Sequence, residues 1–172
     1  KKDTILVLGC GGIGINAIHA ASICNAKKII AVDVNDYKLE MAAKFGANYT
    51  INSLKDELEK NVRNIIRDEG VDFAIDTVGK KETMEFVYNI VNKYSGKAIL
   101  CGVPTPPNQK ITIDPFPLYY GRQLVGTGGG ETNPDIDINK YCDMYKNKQL
   151  LLDQMVSHNF GLQDINSGID LM

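Results

Sequence analysis

Gly9-Cys10-Gly11-Gly12-Ile13-Gly14 follows directly on the apolar run Thr4-Ile5-Leu6-Val7-Leu8, and a second apolar run, Lys28-Ile29-Ile30-Ala31-Val32, ends on Asp33, nineteen positions after Gly14. Glycines at that spacing between a strand and a helix suit one chemistry, the binding of a dinucleotide diphosphate. Gly9 makes the tight turn, Gly11 lets the backbone approach the pyrophosphate, and Gly14 lets the helix pack closely on the strand. The helix N-terminus then offers unpaired N–H donors to the phosphates. Asp33 is placed to accept hydrogen bonds from the adenosine ribose hydroxyls and to repel a phosphate there, which predicts NAD in preference to NADP. A methyltransferase also has a glycine-rich turn after its first strand, but it binds no pyrophosphate and has no need of Gly14. A purely structural turn would leave Asp33 unexplained, and Asp33 alone would read as a strand-end turn residue or a helix cap.

The elements needed to hold these groups are legible in the rest of the chain. Apolar runs at 4–8, 28–33, 49–51, 73–76, 97–101 and 124–127 read as buried strands alternating with helical stretches, a pattern of a parallel sheet covered on both faces. Leu54, Leu58, Val62, Ile65 and Ile66 mark one face of a helix whose opposite, solvated face carries Lys55, Glu59, Lys60, Arg63 and Arg67. Met84, Val87, Ile90 and Val91 mark another, between Gly79 and Gly96. Right-handed crossovers wind these elements into an α/β fold with a doubly wound six-stranded parallel sheet, the glycine turn lying at the point where strand order reverses. Five prolines between Pro104 and Pro117 then mark a loop region. Within it Lys110-Ile111-Thr112-Ile113-Asp114 alternates polar and apolar residues and is expected at the sheet edge. An open edge there predicts a homodimer through these five residues, although the prolines argue against pairing. Helices are expected around 138–147 and 163–171, with a short apolar run at 150–156 between them.

The chain has 172 residues and a net charge of −2 with acids and bases interspersed. One core of that size buries roughly 70% of the surface exposed when unfolded, and the charge gives no field to attract nucleic acid. No apolar stretch approaches the roughly 20 residues of a membrane span, and Lys1-Lys2-Asp3-Thr4 leads into a strand instead of a signal peptide. A soluble cytoplasmic protein is the expectation. Cys10, Cys24, Cys101 and Cys142 lack the paired spacing of a zinc site and read as reduced thiols. Cys10 is either a thiol made reactive by the helix N-terminus or a small residue that fits the turn. His19 falls in the first helix as a surface or packing residue, and with His158 it makes no metal centre.

Over essentially all of its length the chain resembles the medium-chain, zinc-type alcohol dehydrogenases, with their Rossmann nucleotide-binding domain. The glycine turn, with its extra central Gly12 followed by Ile13, is similar to theirs. So are Asp33-Val34-Asn35-Asp36-Tyr37-Lys38-Leu39 and Ala43-Lys44-Phe45-Gly46-Ala47. The resemblance implies that Asp33 and Lys38 clamp the ribose, that Val34 lines the adenine slot, and that Asp76-Thr77-Val78-Gly79 supplies its second wall. It implies that Cys101-Gly102-Val103-Pro104 and Gly121-Arg122-Gln123-Leu124-Val125-Gly126-Thr127 orient the nicotinamide ring and its carboxamide. Taken singly, Lys38 also reads as an exposed helix lysine, Asp76 as an N-cap and Val103 as a core strand end. Gly128-Gly129-Gly130 departs from the bulkier residues of many relatives. His158 and Asp164-Ile165-Asn166 resemble the segment returning toward a catalytic domain.

That catalytic, GroES-like domain is what the chain is expected to lack. In the family it supplies the ligands of the catalytic zinc, which as a Lewis acid lowers the alcohol pKa. The expectation is an NAD-binding domain over 1–133 and a return segment over 134–172, with no catalytic residue and no metal ligand of its own. Its partners would be NAD(H) and its own catalytic domain, where any zinc would lie. The ending Ile169-Asp170-Leu171-Met172, without a cap, points to a fragment. The rival expectations are a free-standing dinucleotide sensor or interaction module and the cofactor domain of a zinc-free reductase.

Overall fold

A computed structural model describes residues 3–67 and 69–171; Lys1, Lys2 and Met172 at the ends of the sequence pattern lie outside the described residues. The chain divides into two compact units, Lys1–Thr132 and Asn133–Met172.

In the first unit, β1 (Thr4–Leu8), β2 (Lys28–Asp33), β3 (Tyr49–Asn52), β4 (Phe73–Asp76), β5 (Lys97–Leu100) and β6 (Gln123–Gly126) form one sheet in the order β3-β2-β1-β4-β5-β6. Every pairing is parallel. The strands are nearly continuous in apolar residues because both faces are covered. Leu6, Leu8, Ile30, Val32, Ile51, Ala74 and Ala98 join one core with α3 (Leu58–Ile66) and α4 (Lys81–Ile90). Val7 and Ala31, pointing the other way by strand alternation, are equally buried. On that side α1 (Gly12–Ile23) and α2 (Asp36–Lys44) lie against β1, β2 and β3. A nine-residue helix such as α3 is too short to persist alone, so it depends on burying Val62 and Ile66, each side chain worth about 1.5–3 kcal/mol.

Two expectations fail in instructive ways. Leu54 does not begin α3. It is exposed in a turn where Asn52 accepts the Leu54 N–H through its side chain and the Lys55 and Asp56 N–H groups through its carbonyl. The side-chain chemistry of Asn52 won over the helical spacing of the leucines. The segment Lys110-Ile111-Thr112-Ile113-Asp114 forms no strand and β6 is the edge. It crosses α4 instead: the Thr112 N–H donates to the Glu85 carboxylate (2.7 Å), the Tyr88 hydroxyl donates to the Asp114 carbonyl (2.6 Å), and Ile113 packs on the core. Its alternation reports burial against a helix, and the strand-pairing basis for a dimer is lost.

In the second unit, α5 (Pro134–Lys146) starts earlier than the apolar pattern, with proline in its first turn beside Asp135 and Asp137, a placement that suits a helix N-terminus. A short 3-10 turn (Leu152–Met155) and a second one (Leu162–Asp164) lead into α6 (Ile165–Leu171). Among the described residues no helix is long and apolar enough to cross a membrane.

Candidate functional site

β1 and β4 are neighbours, with Leu8 in register with Asp76 on one side and with Val32 on the other. Chains leaving β1 and β4 go to opposite faces of the sheet, so a crevice opens between them at their carboxyl ends. Three segments meet there: the glycine turn, the Asp33 loop and the Thr77 turn.

The glycines of the turn divide into two kinds. Gly9 has φ +93°, and a Cβ there would run into the side chains of Thr77 and Val78. A Cβ on Gly14 would overlap the Gly9 carbonyl oxygen, which is how closely α1 leans on the turn. The chain's own packing therefore demands both. Gly11 and Gly12 are different: a Cβ on either would meet nothing within 4 Å. They border an open cradle at the start of α1, whose first hydrogen bond is Ile15 N–H to the Gly11 carbonyl (2.9 Å). The N–H groups of Gly12, Ile13 and Gly14 have no acceptor inside the helix. Free N–H groups at a helix start of this kind can bind an anion such as a phosphate.

The turn is pinned from both sides. Gly9 N–H donates to the Val32 carbonyl (2.8 Å). The Thr77 hydroxyl shares its proton between the carbonyls of Leu8 and Gly9, both at 3.0 Å. That donor, expected to face a cofactor, is engaged by the main chain, and Thr77 fixes the turn itself.

Asp33 is buried, and its carboxylate accepts the N–H groups of Cys10 (2.7 Å), Val34 (2.8 Å) and Asn35 (3.0 Å). A carboxylate has about four lone-pair directions, so roughly one remains for an external donor. The Lys38 ammonium, exposed on α2, faces the same corner, where it opposes the rise of the Cys10 thiol. Burial and the Asp33 charge nonetheless push that thiol up to about 12. Cys10 is thus no activated nucleophile; its Sγ leans on the Val32 carbonyl (3.7 Å), and it fills the turn. His19 is buried edge-on against Phe45.

Three apolar side chains stand exposed around this edge without a core reason: Ile13 (58%), Val34 (54%) and Val78 (37%). Asp76, wholly buried, accepts the N–H groups of Val78 (3.3 Å) and Gly79 (3.0 Å). It closes a turn and does not cap α4, whose N-cap is Lys80.

Beyond β4 the Asp76 carbonyl accepts the N–H groups of Cys101 and Gly102, and Thr127 N–H donates to the Leu100 carbonyl. These bonds bring the Cys101–Pro104 and Gly121–Thr127 segments together around a cavity of about 420 Å³ lined by Met84, Cys101, Val103, Ile111 and Thr127. Burial and the nearby Asp76 raise the Cys101 thiol. Val103 is 78% exposed, so it is no core strand end. The sequence carries no signal for Met84 and Ile111 here, because helix spacing and loop composition say nothing of what they face. Gly128, Gly129 and Gly130 stand exposed. For a metal the residues do not fit: no group of three or more His, Cys, Asp or Glu that could hold one occurs among the described residues.

Taken together these features define a doubly wound α/β domain with a glycine-rich turn at its reversal point. The family model for zinc-binding dehydrogenases matches residues 12–146. S-(hydroxymethyl)glutathione dehydrogenase of Paracoccus denitrificans is 32% identical, the match covering 97% of this chain and 46% of that protein. Alcohol dehydrogenase 1 of Petunia hybrida is 33% identical over 100% of this chain and 45% of its own length. Among solved structures, benzyl alcohol dehydrogenase from Acinetobacter calcoaceticus superposes with a TM-score of 0.90 at 27% identity, covering 98% of this chain and 46% of that one. The chain belongs to the zinc-binding dehydrogenase family and spans about half the length of the relatives it matches.

Proposed function

We propose that this chain is the NAD(H)-binding part of an alcohol dehydrogenase that interconverts an alcohol and its aldehyde or ketone. The observation that carries the reading is the open cradle at Gly11 and Gly12, where a Cβ would meet nothing within 4 Å, beside a buried carboxylate with a lone pair to spare. Gly11, Gly12, Ile13 and Gly14 would hold the diphosphate, and Gly9 the turn beneath it. Asp33 and Lys38 would hold the adenosine ribose, and Val34 and Val78 the adenine. Thr77 acts by keeping Gly9 in place. Cys101, Val103 and Thr127 would hold the nicotinamide end. When bound, the cofactor supplies hydride transfer; the chain binds and orients it.

Alcohol activation is assigned to a catalytic domain outside these residues, with its zinc, in a cytoplasmic enzyme. Self-association as a homodimer would draw on exposed aromatic surface such as Phe116, Tyr119 and Tyr120. Calorimetric titration tests the cofactor assignment. NADH should bind more tightly than NADPH, and Asp33→Ala should weaken NADH by about 1–3 kcal/mol, the cost of a charge-assisted hydrogen bond. Unchanged affinity in Asp33→Ala removes that residue from the site, and no NADH binding by the unaltered chain defeats the assignment.

A further inference from the structure

We infer that Asn52 is a positioning residue for cofactor choice, holding the ribose-reading loop in the shape that favours a free diol over a 2′-phosphate; this rests on the NAD(H) assignment above. Asn52 ends β3 directly in register with Asp33 at the end of β2. Its side chain is buried, unusual for a polar group at a strand end. Every polar atom of that side chain is used. The amide donates to the Val34 carbonyl (3.3 Å) and to the Asp36 carboxylate (2.6 Å), while its oxygen accepts the Leu54 N–H (3.0 Å). Ser53 N–H adds a bond to the Asp33 carbonyl (3.0 Å), and Lys55 pairs with the other Asp36 oxygen.

The consequence lies in how Asp33 is held. Its carboxylate is aimed by three N–H groups, two of which belong to Val34 and Asn35. The orientation of that carboxylate is therefore only as firm as the backbone of those two residues. Asn52 grips this stretch from beneath, at the Val34 carbonyl and at Asp36, so it reaches the ribose site through Asp33 without touching it. When the grip is lost, the diol loses its aligned acceptor. A 2′-phosphate, which gains nothing from that acceptor, loses little.

The test is calorimetric titration of the full chain with NADH and NADPH, alongside thermal melts. Asn52→Ala should weaken NADH on the order of ten-fold, as for one misaligned charge-assisted hydrogen bond, with NADPH changed far less, so that the affinity ratio falls. Val62→Ala, a cavity in α3 away from the loop, serves as the stability control: it should lower the melting temperature and leave the ratio intact. Asp36→Ala removes an exposed partner of Asn52 without opening the core, and should shift the ratio the same way by a smaller factor, which keeps the test decisive if Asn52→Ala folds poorly. Equal losses for both cofactors, or a ratio unmoved in Asp36→Ala and in any folded Asn52→Ala, would overturn the inference. Failure of the unaltered chain to bind NADH would instead fault the cofactor assignment.

Discussion

Cys10 shows how one residue's environment decides its chemistry. A thiol next to a helix N-terminus is a candidate for acidification, yet here it sits under the turn against Val32 and beside the Asp33 carboxylate, which moves its proton affinity the other way. The unfolded thiol releases its proton near its ordinary value of 9.0, the folded one near 12. A raised pKa of this kind contributes stability that is whole below the lower value and is lost as pH climbs toward the higher. Chain stability should therefore fall between those two pH values by more than it does in Cys10→Ala, as read from urea midpoints across that range. At neutral pH an alkylating reagent should label the exposed Cys24 and Cys142 long before Cys10. Rapid labelling of Cys10 in the folded chain would contradict the buried placement.

Among the elements, the β1 turn and α1 carry the most specific structural demand. Gly14 and Gly11 look alike in the motif, but a Cβ on the first would overlap the Gly9 carbonyl oxygen whereas one on the second would meet nothing within 4 Å. Gly14→Ala forces a Cβ onto the Gly9 carbonyl and should cost about 1–3 kcal/mol of stability, as overpacking does. Gly11→Ala faces open space at φ −73° and should cost under about 1 kcal/mol, the scale of an N-cap change, while lowering NADH affinity. Denaturation and titration of the two variants separate these effects; NADH affinity unaffected in Gly11→Ala would mean the cradle holds no cofactor. Two departures from sequence pattern at this scale share one cause. The alternation of Ile111 and Ile113 is real, but it records burial along α4 as well as it would record a strand, and the leucine at 54 keeps helical spacing while Asn52 closes a turn over it.

At the level of the molecule, the chain holds two compact units and about half the length of its family relatives. It presents the open glycine cradle proposed above for a hydride carrier and, among the described residues, no group of three or more His, Cys, Asp or Glu that could hold a metal. Alcohol oxidation by this chain, with NAD and with or without added zinc, should be negligible in a steady-state assay; robust turnover would show that activation chemistry resides in these residues after all. The sheet, its reversal point and the glycine-and-acid signature were determined by sequence alone, because strand and helix periodicity and the φ and contact demands of glycine are local properties written into neighbouring residues. Tertiary structure alone decided that the Thr77 hydroxyl pins the turn, that Asn52 supports the Asp33 loop, and that Met84 and Ile111 share a cavity with Cys101 and Thr127. Those partners lie tens of residues apart and meet only once parallel register has brought the strand ends to one edge, so no local pattern could announce them.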